Sequence, residues 1–183
     1  MKQLFWMLLS IPAIAMVVQL ASGTDAADLL HSSGETSARL LIVALLLTPL
    51  RLLLPDVRWL SWLRQQRRSI GVAAFASAAL HTIFYLADMG SLKYVLDELT
   101  ALGIWTGWLA FLIFIPLALT SNNTAVRRLA GSWATLHRLV YAAALLTLVH
   151  WIYVHNNYVP AWVHFIPLIL LEIYRVYAER KKT

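Results

Sequence analysis

The run from Trp133 to Val154, WATLHRLVYAAALLTLVHWIYV, is apolar enough to cross a bilayer and yet carries two histidines, His137 and His150. A charged side chain at the centre of a lipid-crossing helix costs about 2.5 kcal/mol or more, so ionisable groups there mark a functional site by default. Neutral imidazole is the cheaper form, and it is also the form that binds a metal. The two histidines are 13 positions apart, which at about 1.5 Å of rise per residue places them roughly 20 Å apart along the axis. They cannot share one metal; if both are ligands, they serve sites at two depths, one near each face of the membrane. On an ideal helix 13 residues also turn the second side chain about 140° from the first. Either the helix is bent between them or the two sites are approached from different sides.

Five further apolar runs accompany this one, and together the expected spans are 4–20, 39–54, 69–87, 101–119, 133–154 and 160–177. With 60% hydrophobic and 13% charged residues in 183, the chain has too little polar surface to cover a soluble globule. An all-α, polytopic six-helix bundle follows. The gaps between runs are too short for an extramembrane domain, so residues 1–183 are expected to form a single membrane domain. The first run resembles a cleavable signal peptide, but a weak charged n-region and five spans behind it favour a retained helix. Pro49 is expected to kink the second span. Residues 55–68, with Arg58, Arg64, Arg67, Arg68, Trp59 and Trp62, read as an amphipathic segment at the membrane surface. The stretches 24–38 and 88–100 read as acidic loops, and a short basic loop holds Arg127 and Arg128. Cysteine is absent, which excludes disulfides, thiolate metal sites, iron–sulfur clusters and thioether-linked haem.

Of fifteen Lys and Arg residues, all but Arg39 and Lys93 fall at the N-terminus, at or near the gaps after spans two and four, or from the end of span six onward. These segments share one side of a six-span chain. The positive-inside rule makes that side cytoplasmic, with both termini inside. The net charge of +6 is thereby explained by topology, and no nucleic-acid partner is expected.

With that orientation His81 and His150 lie at matched depth, roughly 10 Å below the outer ends of their helices. Two histidines from two helices at one level can ligate a haem iron axially in a bundle core. His137 sits near the inner face, opposite Arg68, which precedes His81 by 13 positions. Arginine is a poor iron ligand but a good partner for a propionate, a phosphate or a quinone oxygen. Leu80-His81-x-x-x-Tyr85 and Leu136-His137-x-x-x-Tyr141 repeat one pattern, placing a tyrosine one turn after each histidine, either beside a ligand ring or packed against its helical neighbour. The small residues from Gly71 to Ala79 suit close approach of a helix or a flat cofactor. His31 reads as a solvated loop residue, His155 as an outer-interface residue within reach of a soluble acceptor or a propionate, and His164 as an alternative axial ligand or a hydrogen-bonded helix residue.

Thr48-Pro49-Leu50, Arg67-Arg68-x-x-Gly71, Leu80-His81, Leu119-Thr120-Ser121, Trp133-x-x-Leu136-His137-x-x-x-Tyr141 and His150 occur in this order. Over roughly 35–154 the chain thus resembles the ferric-reductase-like transmembrane proteins, and among them the MsrQ (YedZ) type. The resemblance implies a b-type haem subunit, with one or two haems, His81, His137 and His150 as haem histidines, and Arg67 and Arg68 at the inner cofactor level. It also implies a flavin mononucleotide cofactor, electrons from the quinone pool or a flavin reductase, a bacterial inner-membrane location, and a periplasmic molybdopterin-dependent methionine-sulfoxide reductase or other soluble oxidoreductase as acceptor. The Arg-Pro-Tyr that precedes the fourth span in that family is replaced here by Ala101-Leu102-Gly103. The competing reading is a metal-ion or small-solute transporter with membrane histidines as transport ligands. That function needs a polar midplane pathway and, as a rule, broken helices, whereas the midplane here is apolar.

Overall fold

The computed structural model describes residues 2–154 and 158–181. Among them the chain forms ten helices: α1 (Lys2–Ala21), α2 (Ala26–Leu53), α3 (Arg58–Gln65), α4 (Arg67–Met89), α5 (Leu92–Glu98), α6 (Leu102–Leu119), α7 (Asn123–Leu129), α8 (Gly131–His137), α9 (Leu139–Val154) and α10 (Tyr158–Arg180). Six helical stretches are long and apolar enough to cross a membrane: α1, α2, α4, α6, α8 continued by α9, and α10. In the orientation expected from the charge pattern, the bundle end that carries α5 is called the outer end, and the end with α3 and α7 the inner end.

The core is built from α2, α4, α6 and α9, with Leu41, Leu45, Ala74, Phe114, Ala143, Ala144 and Leu148 at its centre. Helix α10 closes one flank through Ala161, Phe165 and Leu168, while α1 touches the bundle through Met16. Two pairs approach most closely, α2 with α4 and α6 with α9. Small side chains permit this. On α2 and α4 they are Ser33, Ser37, Ala38, Ala73, Ala74 and Ser77, all buried. On α6, Gly103 faces Tyr153 and Val154 so closely that an added Cβ would lie 2.9 Å from Val154. In lipid, where helix association rests on van der Waals packing, such contacts carry the fold.

Residues 26–38, expected as an acidic loop, are the first turns of α2. The segment is rich in Ala and Leu, good helix formers, and its serines are satisfied locally or across the pair: Ser33 donates to the Leu29 carbonyl at 2.8 Å and Ser37 to the Ala74 carbonyl at 2.9 Å. Asp28 is exposed on this helix while Glu35 turns toward the outer cavity and pairs with Arg39 at 2.7 Å, so polarity there does not mean irregular backbone. At 28 residues α2 is about 42 Å long, well beyond the roughly 30 Å hydrocarbon layer. The stretches around Leu92 and Arg127, also expected as loops, contain the short helices α5 and α7. Helix α2 runs on through Pro49 to Leu53. Helix α3 buries Leu60 against Leu47 and Ile70 while leaving Trp59 exposed, the amphipathic arrangement expected of 55–68.

The fifth span is interrupted at Arg138. Its amide is shared between the Ala134 and Thr135 carbonyls at 3.1 and 3.2 Å, and Tyr141 N–H returns to the Arg138 carbonyl at 3.1 Å. Bonds to the residue three back tighten the turn. His137 and His150 therefore stand on separate helices, which resolves the angular conflict of a single ideal one.

Phe84 is 1% exposed and packs with Met16 and Leu29, joining α1, α2 and α4. Phe84→Ala should cost about 3 kcal/mol or more, read as a lower midpoint of detergent-induced unfolding of the purified protein; an unchanged midpoint would show that this junction carries no weight.

Candidate cofactor site

Helices α2, α4, α6 and α9 enclose an outer cavity of about 340 Å³. His81 on α4 and His150 on α9 both line it. Their ring centroids are 6.0 Å apart and their planes cross at 80°. His81 Nδ1 lies 3.0 Å from the Leu30 carbonyl on α2, with Ser33 Oγ at 3.3 Å, and His150 Nδ1 lies 2.7 Å from the Gly103 carbonyl on α6. A carbonyl oxygen only accepts, so both imidazoles donate from Nδ1, and in that tautomer the lone pair resides on Nε2. This is the outer-shell arrangement that orients metal-binding histidines.

Glycine supplies the room for both rings. A Cβ on Gly34 would meet the His81 ring at 3.1 Å, and one on Gly107 would meet His150 Nδ1 at 2.5 Å. The remaining walls are largely apolar or aromatic, including Ala78, Trp108, Phe111 and Phe114. Tyr85 lines the cavity beside Trp108, ring centroids 6.3 Å apart, and donates to Glu98 on α5 at 3.0 Å.

An inner cavity of about 250 Å³ lies below, within the same four helices and α8, and Phe114 belongs to the walls of both. Its lining brings together Arg67, Arg68, His137, Arg138, Thr48, Ser121 and Tyr141. His137 Nε2 is 2.9 Å from Thr120 Oγ1, and its ring stacks on Trp133 with centroids 3.9 Å apart. Trp133 in turn donates to the Thr120 carbonyl at 2.9 Å. Arg67 donates to Thr48 at 3.4 Å and Arg68 to Asn123 at 3.1 Å. Among the described residues the lining includes no carboxylate, so the cavity suits an anionic group.

The remaining histidines separate clearly. His164 is engaged at both nitrogens, with Nδ1 2.7 Å from the Pro160 carbonyl and Nε2 accepting from Arg39 at 3.3 Å. That is the hydrogen-bonded alternative to an axial ligand. His31, expected in a loop, lies on α2 at the rim of the outer cavity, 3.5 Å from Glu35. His155 lies outside the described residues. The sequence reading missed Leu30, Ser33, Gly34, Gly103 and Gly107. A signal for the last two was present, since Gly103-x-x-x-Gly107 inside an apolar run is a close-packing motif. The carbonyls of Leu30 and Gly103 leave no mark in a side-chain pattern.

The family described as the ferric reductase like transmembrane component matches residues 33–148. Similar curated proteins are named as haem-binding subunits MsrQ of the protein-methionine-sulfoxide reductase. The one from Ralstonia nicotianae is 37% identical over 154 residues, covering 80% of this chain and 69% of that protein. Its counterpart from Brucella anthropi is 33% identical over 157 residues, with the same coverage of 80% and 69%. The protein of Brucella ovis is 36% identical over 125 residues, or 67% of this chain and 54% of that one. No solved structure matches. With paired histidines held between the helices of a six-span bundle, and with this likeness over most of its length, the chain belongs to the ferric reductase-like transmembrane family, among its MsrQ members.

Proposed function

We propose that the chain is a b-type haem subunit of the inner membrane that carries electrons outward, from quinol or a cytoplasmic flavin reductase to a periplasmic oxidoreductase. The relatives' names point to a methionine-sulfoxide reductase as acceptor, and a molybdopterin enzyme is the expected type. The observation that carries this reading is the outer pair: two imidazoles from different helices lining one largely apolar cavity, their planes crossing at 80°, each held at Nδ1 by a backbone carbonyl. Two metal–nitrogen bonds of about 2 Å plus two imidazole ring radii of ~1.2 Å would come to about 6.4 Å, close to the centroid spacing of 6.0 Å.

A haem bound there supplies reversible one-electron chemistry. The residues do the rest. Leu30 and Gly103 hold the Nδ1 protons and so fix the ring orientations. Gly34 and Gly107 keep the space beside the rings clear. Phe111, Phe114 and Trp151 exclude water. At the inner level His137 is the one cavity histidine among the described residues, and Arg67, Arg68 and Arg138 gather positive charge. That set fits a second haem with its propionates near the arginines, or flavin mononucleotide through its phosphate. The positive-inside pattern supports cytoplasmic termini, which makes the arginine-rich cavity the point of electron entry.

Oxidised and dithionite-reduced spectra of the purified protein should show a low-spin b-type haem, lost in both His81→Ala and His150→Ala. Gly107→Ala should weaken the same signal, because its Cβ displaces His150. Full low-spin haem in either histidine variant would disprove the pairing.

His137→Ala should remove or perturb a second centre, whether haem or flavin, and leave the outer haem in place, since the two levels are roughly 20 Å apart. Equal loss of all haem in every single variant would instead mean one shared site.

In oriented vesicles with the donor on the arginine-rich side, neutralising Arg67 and Arg68 should slow haem reduction and leave reoxidation from the opposite side unchanged. Slowed reoxidation would reverse the assigned direction.

A further inference from the structure

The haem assignment leaves one partly buried polar cluster unused. Glu172 and Arg175 lie about one turn apart on α10, with side chains 17% and 18% exposed and Arg175 Nη2 3.1 Å from Glu172 Oε2. Glu179 stands 3.7 Å from Arg175 Nε. Partly burying such a pair yields no dependable stability, because desolvation offsets much of the Coulombic gain. A basic residue near the end of a membrane helix ordinarily extends its head to the interface. Here the guanidinium instead reaches across to α9, where Nη1 donates to Tyr141 Oη at 2.6 Å. Tyr141 lines the inner cavity together with Arg67, Arg68 and His137; Arg175 and Glu172 do not.

A guanidinium has only donors, so the Tyr141 oxygen accepts from it, and the single phenolic proton is given elsewhere. We infer that Tyr141 donates this proton as a hydrogen bond to a conjugated carbonyl oxygen of a redox-active ring in the inner cavity, with Arg175, anchored by Glu172, as its positioning residue. The inference rests on the inner-cavity reading and deepens it. Arg67, Arg68 and Arg138 suit a phosphate or carboxylate; a neutral phenol suits a ring carbonyl, whose oxygen gains electron density as the ring is reduced. Quinones and the isoalloxazine ring share that chemistry.

The test uses the haem-loaded full chain in nanodiscs with two probes, flavin mononucleotide followed by fluorescence titration and ubiquinol-1 followed by haem reduction. In the second arm ubiquinol-1 gives two electrons to two ferric haems and two protons to solvent as it becomes ubiquinone-1. Tyr141→Phe should weaken one arm about fivefold, as loss of one neutral hydrogen bond does. In the flavin arm this appears in Kd; in the quinol arm it appears in KM more than in kcat. The double variant Glu172→Gln with Arg175→Gln removes both charges, so no uncompensated ion is left buried, and should give the same loss. Adding Tyr141→Phe to it should cost nothing more, and Arg175→Lys alone, which keeps a donor, should retain most of the affinity. The low-spin haem spectrum should be unchanged throughout. No change in either arm for Tyr141→Phe, or losses that multiply in the triple variant, would overturn the inference while leaving the inner cavity as the entry site. A wild-type protein with intact haem that takes neither probe would overturn the inner-cavity reading and this inference with it.

Discussion

Each histidine of the outer pair is held at its back by a backbone carbonyl on the helix packed against its own, Leu30 of α2 behind His81 and Gly103 of α6 behind His150. A helical carbonyl normally serves the amide four residues on and is reached from outside only at close range. The two helix pairs must therefore approach nearly backbone to backbone, and the small residues of α2, α4 and α6 make that possible. If either pair separates, the Nδ1 proton loses its acceptor in a medium that offers no water to replace it, at a cost of about 1–3 kcal/mol for one buried donor. Helix packing and imidazole orientation are thus one constraint.

The same constraint places the cavities. With α2 drawn to α4 and α6 to α9, the space left between the pairs is an elongated slot, divided where Phe114 projects into it. The outer part is lined mainly by apolar and aromatic groups around two imidazoles. The inner part collects three arginines, a histidine and several hydroxyls. One bundle thus offers two chemically different environments at two depths, an inner one rich in positive charge and an outer one largely apolar around two imidazoles. The break at Arg138 belongs to this design: it lets one span present His137 to the inner cavity and His150 to the outer one.

Most polar groups inside the bundle are tied to partners; among the described residues Arg175 Nε is buried without a hydrogen bond. Thr106, Ser33 and Ser37 return their hydroxyls to backbone carbonyls, and Arg39, paired with Glu35 on its own helix, joins α2 to α10 through His164. In lipid an unsatisfied group costs several kcal/mol, so these bonds are a condition of the fold. The Glu172–Arg175 pair is linked to the inner cavity through the Arg175–Tyr141 hydrogen bond.

The sequence by itself determined the all-α class, the six apolar stretches, the concentration of basic residues at one end and the matched depth of His81 and His150, because each follows from local composition and from rise per residue. It placed His137, Arg67 and Arg68 at one level for the same reason. Only the tertiary structure decided that residues 26–38 are helical, since their polarity is equally compatible with a loop until α4 packs against Ser33 and Ser37. It alone revealed the Arg138 break, which depends on how the α8 and α9 segments seat in different cavities. The carbonyls behind the imidazoles and the glycines beside them were beyond a side-chain pattern, because a backbone oxygen becomes a site element only when another helix comes close enough to use it.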